Sequence, residues 1–274
     1  MYARATGRRA AGRPLTHDWV EDAATVTVSA VEESRATWNV WHLTAEAQRQ
    51  ARRAGVARAD VDSAVEQVVE AAISRSVRLG VDDPVSDPAP LRRSDGESLY
   101  DVHGATLYTS AKVLSAEQEI LALAARSGAH ALAVVRVEVA LGASAARGLE
   151  LNDAQAAMVR DLATSGTLVQ LALAPAGTGK TTAMSVLAEA WAESGGRVIG
   201  VAPSAQAAHE LGQAITGHTD TLAKITWSLA NEPSAAWPRW LREIGPKSLV
   251  IIDEAGQAAT TELATAIRFI TDRG

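Results

Sequence analysis

From about residue 150 onward, amphipathic stretches alternate with short runs of apolar residues. The amphipathic stretches predict helices, because their apolar side chains recur every three or four residues, and the apolar runs predict strands buried on both faces. The predicted elements, in chain order, are a helix at 152–165, a strand at 167–174, a helix at 181–194, a strand at 197–203, a helix at 205–215 and a strand at 248–253. Strands that alternate with helices are typical of a parallel sheet covered on both faces. The sequence therefore predicts an α/β fold for this half of the chain.

The first half of the chain predicts mainly helices. Residues 60–80 place apolar side chains at helical spacing, and Ser63 with Glu66 has the pattern of a capping box. A capping box joins the N-cap residue of a helix to the residue three positions later. The side chain of each accepts a hydrogen bond from the backbone amide of the other. Ser115 with Gln118 repeats the pattern and predicts the start of another helix.

Three further segments break or interrupt this helical pattern. Residues 82–90 contain three prolines and predict a linker, because proline lacks an amide donor and biases the residue before it toward extended geometry. The stretch ESLYDVHGATLYTS at 97–110 predicts a short hairpin turned near Gly104. Residues 131–141 alternate like a strand but also fit a helix, and periodicity leaves both interpretations open.

These patterns predict three parts of the chain. Residues 1–16 form a basic tail that we expect to be disordered, since the first 14 residues hold four arginines and no acid. Residues 17–148 form an accessory region, mainly helical with a small hairpin near 97–109. Residues 149–274 form the α/β domain.

Composition narrows the class of protein only a little. The chain has 274 residues, of which 47% are hydrophobic, and this is ample for a buried core. Cysteine is absent, which excludes disulfides and thiolate metal sites. The net charge of −6 argues against a protein that coats nucleic acid through bulk positive charge. We find neither a secretory signal nor an apolar run near the roughly 18 residues of a membrane helix, and we therefore expect a cytoplasmic protein without a membrane segment.

The strongest chemical signal is the segment LALAPAGTGKTT at 171–182, between a predicted strand and a predicted helix. Its last positions match the phosphate-binding pattern GxxxxGK[ST] at Gly179, Lys180 and Thr181, with Ala174 where the first glycine usually stands. We call residues 174–182 the phosphate loop. Backbone amides of such a loop converge on phosphate oxygens at a helix start, whose dipole also favours anions.

The residues of the phosphate loop predict binding of ATP with Mg²⁺. Lys180 would neutralise the β and γ phosphates, and the Thr181 hydroxyl would ligate the magnesium ion. Glycines between a strand and a helix also serve simply as turns, but a turn does not account for the order Gly-Lys-Thr-Thr at 179–182. We therefore favour nucleotide binding.

A second chemical signal is KSLVIIDEAGQ at 247–257, where an apolar strand ends in two acids. Asp253 would hold the magnesium ion, directly or through water, and Glu254 would activate the attacking water. An acidic pair after a strand is often only the favourable charge at the start of the next helix. Its combination with the phosphate loop favours the catalytic interpretation.

Several other residues have two interpretations each. Gln155, near the start of a predicted helix, either reads an adenine edge or is an exposed helical glutamine. Ser204, beside Pro203 at the end of a predicted strand, either lies at a ligand site or caps a helix. Three tryptophans either stack on single-stranded bases or pack in the core or in a contact between domains, and we favour packing. They are Trp227, Trp237 and Trp240.

These residues together resemble the helicase region of the large conjugative relaxases of the MobF type, which contains a RecD-like superfamily 1 DNA helicase. The matching pieces, in the order of that family, are LNDAQAAMVR, LAPAGTGKTTAM, GVAPSAQAAHEL, TDTLAKI and LVIIDEAGQAAT. Fainter similarity extends through RATWNVWHLTAEAQR and LRRSDGESLYDVHGATLYTSAKVLSAE, which resemble the segment between the relaxase domain and the motor. The resemblance implies that residues 149–274 are the first RecA-like domain of such a motor.

The resemblance also implies roles for individual residues. Gln155 would read adenine, Pro203 and Ser204 would contact DNA, and Gln257 would lie near the γ phosphate. The implied nucleotide-binding residues are Gln155, Pro175, Ala176, Gly177, Thr178, Gly179, Lys180, Thr181, Thr182 and Gln257. The implied catalytic residues are Lys180, Asp253 and Glu254, and the implied magnesium ligands are Thr181 and Asp253.

The sequence leaves the activity of the chain between two hypotheses. The first is the ATP-binding half of a DNA helicase motor, which we expect to lack its second RecA-like domain and to bind single-stranded DNA weakly in isolation. The second is a nucleotide-binding remnant or interaction module without turnover. A phosphate-loop kinase is disfavoured by Asp253 and Glu254, because a kinase needs no carboxylate to activate water.

Overall fold

The alternation of helices and strands after residue 150 is present, with one exception, in a computed structural model that describes residues 15–80, 106–175 and 177–274. The chain divides into two compact units, Met1–Leu114 and Ser115–Gly274. The domain boundary predicted at residues 148 and 149 stays a prediction. It lies inside the second unit.

The described residues of the first unit form a three-helix core with a small antiparallel sheet. Its elements are α1 (His17–Glu32), α2 (Val40–Arg53), α3 (Val61–Ser74), β1 (Val77–Leu79), β2 (Leu107–Thr109) and the start of α4 (Ala111–Ala124). The three helices pack on one another around Trp38 and Leu43, which are fully buried. The indole N–H of Trp38 donates to Ser76 Oγ at 3.3 Å, so the polar atom of this buried ring has a partner.

Both capping boxes predicted in this half are wrong. Helix α3 begins without a side-chain cap, and Ser63 Oγ instead accepts a hydrogen bond from Gln67 Nε2 at 3.1 Å. Helix α4 begins before Ser115, at a turn where Ser110 Oγ accepts from the Val113 amide at 3.1 Å. The pattern of a capping box recurs inside helices, because polar residues three apart also share an exposed helical face.

Three sequence predictions fall largely outside the described residues. These are the tail, of which residues 1–14 lie outside, the linker at 82–90, and the turn of the hairpin near Gly104. The described end of the hairpin segment, β2, pairs antiparallel with β1, with Arg78 opposite Tyr108.

The second unit alternates helices and strands. Its further elements are α5 (Val134–Ala146), α6 (Asp153–Thr164), α7 (Lys180–Glu193), β3 (Arg197–Ala202), α8 (Ala205–Ala214), β4 (His218–Thr221), α9 (Leu222–Asn231), α10 (Arg239–Arg242), β5 (Ser248–Ile252) and α11 (Thr260–Thr271). The three predicted helices and the last two predicted strands are present. Residues 131–141, which fitted either element, lead into the helix α5.

The three strands of this unit form the predicted parallel sheet, in the order β4-β3-β5. Apolar side chains of β3 pack on both faces. Val198 joins the core formed by α5, α6 and α7, whereas Ile199 and Val201 join the core on the other face with α9 and Trp240. The sheet is therefore covered on both sides, as an apolar parallel strand requires.

The strand predicted at 167–174 is wrong. Thr167 makes one isolated bridge to Ser127, and the residues after it are irregular. Leu171 and Leu173 are 75% and 82% exposed. An apolar run becomes a strand only when a neighbouring strand bonds its backbone, and this segment pairs with no strand of the described sheet, while β5 pairs only with β3.

Within the described ranges, no helix has both the length and the apolar character needed to cross a membrane.

Candidate nucleotide-binding site

The start of α7 has the backbone geometry of an anion site. Gly177 and Gly179 both have φ of 75°, in the left-handed region that glycine adopts without strain. Gly179 is the N-cap residue of α7, and no side chain caps this helix start. The first amides of the helix therefore point outward without a side-chain acceptor, and such amides bind phosphate.

The phosphate loop is closed by a turn of its own. Thr178 Oγ1 donates to the Pro175 carbonyl at 2.7 Å, and the Thr178 amide lies 3.4 Å from the same oxygen. Ala176, a predicted member of this loop, lies outside the described residues. The turn places Gly177 at the exposed side of the loop, where nothing covers the position of a side chain.

Gln155 connects α6 to the phosphate loop. Its Oε1 accepts from the Asn152 amide and its own amide donates to Asn152 Oδ1, both at 2.9 Å, so these two residues form a capping box. Its Nε2 donates to the Thr178 carbonyl at 2.9 Å. The structure thus brings the residue predicted to read adenine against the loop itself, and its adenine contact stays a prediction.

The capping residue Asn152 was missed by the sequence analysis, although a signal for it exists. Asn-x-x-Gln at 152–155 is the same kind of pattern as the two capping boxes that were predicted elsewhere. Helix α6 is also fixed to α5, since Arg160 donates to both carboxylate oxygens of Glu138 at 2.6 and 3.0 Å. These hydrogen bonds, together with the charge of Arg160, lower the pKa of the Glu138 carboxyl.

The contact between Gln155 and the loop gives a matched pair of glycine variants. Gly179→Ala should destabilise the protein by about 1 kcal/mol more than Gly177→Ala. Both variants force alanine into the left-handed region, but only at Gly179 would the new Cβ overlap the Gln155 amide nitrogen and displace it from Thr178. Thermal or urea unfolding of the two variants measures the difference.

The difference between the two glycine variants should disappear when Gln155 is also replaced by alanine, because the displaced group is then absent. Equal destabilisation by Gly179→Ala and Gly177→Ala in the otherwise unchanged chain would contradict the contact.

Asp253 and Glu254 follow β5 directly, as predicted. The Asp253 amide continues the ladder with the Val201 carbonyl at 2.9 Å, and Asp253 Oδ1 accepts from the Glu254 amide at 2.9 Å. Asp253 is half-buried and Glu254 is exposed. Only one oxygen of the Asp253 carboxylate is used by these contacts, so the other is available for a cation.

The backbone of Glu254 is strained. Its φ is 50°, and it is the one residue other than glycine with a positive φ among residues 15–80, 106–175 and 177–274. Left-handed backbone geometry costs about 1 kcal/mol or more of conformational energy for a residue that lacks the local hydrogen bonding of asparagine or aspartate. Such strain is concentrated at functional sites.

The phosphate loop and the acidic pair lie at the same edge of the sheet. Helix α7 packs on β3 and β5. Near the carboxyl end of α7, the indole N–H of Trp191 donates to the carbonyl of Lys247 at 3.0 Å, and Lys247 directly precedes β5. The end of α7 is therefore at the amino edge of the strands. Because α7 is about 20 Å long, its start reaches toward the carboxyl edge, where Asp253 lies.

The remaining predicted residues of the site lie in the first turn of α7 and shortly after β5. Lys180 and Thr182 are half-buried in the first turn of α7, and Thr181 is exposed. Gln257 is exposed in a short 3₁₀ turn, where its amide donates to the Glu254 carbonyl at 2.8 Å. No group of three or more His, Asp or Glu side chains in the part of the chain that the structure describes is placed to hold a metal ion.

The structure shows the contacts and the exposure of the residues that had two interpretations each. Ser204 is the N-cap of α8 and accepts from the Ala207 amide at 3.1 Å, so it caps a helix. Trp240 is buried and stacks on His218. Trp237 donates from its indole N–H to two backbone carbonyls, and Trp227 is exposed.

Comparison with known proteins finds a family match in the second part of the chain. Residues 150–274 match the family model described as an AAA domain. AAA domains are phosphate-loop domains, so the match supports nucleotide binding. The match confirms the predicted class of fold for this part of the chain.

The chain is similar to two conjugal transfer proteins. It is 29% identical over 170 residues to the probable conjugal transfer protein TraA of Sinorhizobium fredii. These residues make up 61% of this chain and 14% of the relative. It is 33% identical over 133 residues to the conjugal transfer protein TraA of Rhizobium radiobacter, covering 47% of this chain and 11% of the relative. The chain thus spans a small part of the length of either protein. These matches and the AAA domain confirm the resemblance to a conjugative relaxase/helicase region.

Proposed function

We propose that this chain is the ATP-binding part of a RecD-like DNA helicase motor of a conjugative relaxase, acting on single-stranded DNA in plasmid transfer. The observation that carries the proposal is the uncapped start of α7 behind two left-handed glycines, at the same edge of the sheet as Asp253 and Glu254. The similarity to two conjugal transfer proteins supports the conjugative part of the proposal.

Each residue of the site has a distinct proposed task. The amides of the phosphate loop and the Lys180 ammonium bind the phosphates of ATP, and this binding orients the γ phosphate. Glu254 accepts a proton from the attacking water, and this role suits a carboxylate that is exposed to solvent. Gln155 holds the loop through Thr178 and keeps one amide hydrogen for the base.

The side chains at the site fit a magnesium ion. Thr181 places an exposed hydroxyl in the first turn of α7, and Asp253 has a carboxylate oxygen beyond the one that accepts from Glu254. Both offer the oxygen ligands that magnesium prefers, with the phosphates supplying others. When bound, the ion neutralises charge that develops on the phosphates.

The proposed motor has two further partners. Single-stranded DNA would lie at the carboxyl edge of the sheet, near Pro203 and Ser204. A second RecA-like domain would supply the arginine that stabilises the transferring phosphate, and this arginine is worth on the order of 10³ or more in rate in related phosphate-loop enzymes.

The proposal is tested by titrating the chain with ATP in the presence and absence of magnesium. ATP with magnesium should bind and raise the melting temperature, because a ligand that binds only the folded state stabilises it. Removing magnesium with a chelator should weaken the binding. If ATP leaves the melting temperature unchanged and isothermal titration shows no binding, the nucleotide site and the proposed motor are both wrong.

A second candidate function is a nucleotide-binding module without turnover. It is favoured by the segment before the phosphate loop, which pairs with no strand of the described sheet and leaves Leu171 and Leu173 exposed. A loop without a strand behind it is held less firmly for catalysis. ATP turnover separates the two candidates, since the module would bind ATP and release it unchanged.

A further inference from the structure

Trp227 is a large aromatic side chain on the surface of the second unit. It is 52% exposed, although tryptophan is usually buried to a large extent. Four of the other tryptophans are buried, namely Trp19, Trp38, Trp191 and Trp240, and Trp237 is half-buried. The remaining one, Trp41, is 59% exposed in the first unit. Core packing therefore does not account for Trp227.

The neighbours of Trp227 on α9 leave its ring accessible. Ala223 and Ala230, one turn before and one turn after it, are exposed and too small to cover an indole. Asn231 donates from its side chain to the Trp227 carbonyl at 2.8 Å, so it is held against the helix backbone. Lys224 lies over the ring, and with these neighbours the side chain is still 52% exposed.

A positive charge accompanies the ring. The Lys224 ammonium lies 4.8 Å from the centroid of the Trp227 ring. A carboxylate also contacts α9, since Thr226 lies 3.4 Å from Glu262 of α11, at the side where these two helices pack. The exposed face thus combines an aromatic surface with a cation, and this combination fits a nucleotide, which pairs a flat base with a phosphate.

The helix α9 begins at the edge of the sheet that carries the nucleotide site. It follows β4 directly, and in the parallel pair Thr221 lies opposite Ala202, two residues before Ser204. The starts of α8 and α9 are therefore neighbours at the carboxyl edge. Trp227 lies about 9 Å along α9 from Thr221.

We propose that Trp227, with Lys224 beside it, is a stacking surface for a base of single-stranded DNA. This inference rests on the proposed function and adds to it a residue that holds the strand. The indole stacks on one base, and the Lys224 ammonium lies near the adjacent phosphate. Stacking does not distinguish bases, so the contact suits a motor that moves along any sequence.

The test measures binding of a fluorescent twenty-nucleotide thymidine strand by anisotropy at low salt, for the full chain and four variants. Trp227→Ala should bind about tenfold more weakly or worse, as expected for the loss of one stacked base. Trp227→Phe should keep most of the affinity, because it keeps an aromatic face. Lys224→Ala should weaken binding and reduce its dependence on salt. Trp41→Ala, the other exposed tryptophan, is the matched control and should bind like the unchanged chain.

A strand with abasic positions separates stacking from a structural effect. If Trp227 stacks on a base, Trp227→Ala should cost much less affinity for the abasic strand than for the thymidine strand. Equal losses on both strands, or an unchanged affinity in Trp227→Ala, would overturn the inference, as would an equal loss in Trp41→Ala. Circular dichroism of each variant checks that it is folded.

Titration with ATP distinguishes the two proposals. If the chain binds ATP with magnesium but does not bind the strand, the stacking inference fails and the nucleotide site stands. If the chain binds neither, the proposed function fails. If the Trp227 face instead captures a protein, with no affinity for the strand, a protein partner replaces the DNA proposed here.

Discussion

Replacing Lys180 with alanine should weaken the binding of ATP with magnesium by about 100-fold or more. The ammonium group lies in the first turn of α7, immediately after the Gly179 N-cap, where the phosphates are proposed to bind. Its loss leaves the phosphate charge facing backbone amides alone. Isothermal titration of the unchanged chain and the variant measures the ratio of affinities.

Lys247→Ala is the matched control for this experiment. Lys247 is exposed just before β5, at the opposite edge of the sheet, and the contacts it makes with Trp191 and Arg197 use its backbone carbonyl. Its variant should bind ATP like the unchanged chain. If Lys180→Ala retains the affinity, or if Lys247→Ala loses as much, the assignment of the phosphate site is wrong.

Replacing Glu254 with glutamine should leave ATP affinity within about twofold and reduce hydrolysis by about 10²- to 10⁴-fold. The carboxylate is proposed to accept a proton from water and not to hold the nucleotide, and glutamine has the same shape without that basicity. The strained backbone at φ 50° is the same in both proteins, so the comparison isolates the side chain. Single-turnover measurement of phosphate release, with the second RecA-like domain added, reports the rate.

Glu193→Gln provides the control for Glu254. Glu193 is exposed at the far end of α7, and its variant should hydrolyse ATP at the unchanged rate. A loss of ATP affinity in Glu254→Gln as large as that in Lys180→Ala would contradict the division between binding and catalysis. So would an undiminished rate of hydrolysis.

The local backbone geometry of the candidate site was predictable from the sequence because its signals are local. Gly177 and Gly179 adopt left-handed geometry, Lys180 and Thr181 follow at a helix start, and Asp253 directly follows a strand. Each of these features depends on residues close in the chain. A short pattern therefore predicts them without knowledge of the rest of the fold.

The features that the sequence did not predict depend on contacts between distant segments. The hydrogen bond from Gln155 to Thr178 spans 23 residues, and nothing in either segment alone indicates it. The run at 167–174 is apolar enough for a strand, but strand formation depends on a partner that the pattern does not specify. Likewise, β4 was not predicted, because its residues His218–Thr221 are polar and too few to show a period.

Leu171 and Leu173 are exposed, and one edge of β5 pairs with no strand among the described residues. Both features have a practical consequence for handling the protein. Two molecules that meet at these surfaces can each offer the other an apolar segment and free backbone groups, and such pairing leads to aggregation. Concentrated stocks should therefore lose monomer over time, at a rate that rises with protein concentration. Purification at low concentration, with gel filtration immediately before each assay, would keep this slow precipitation from being mistaken for lost affinity.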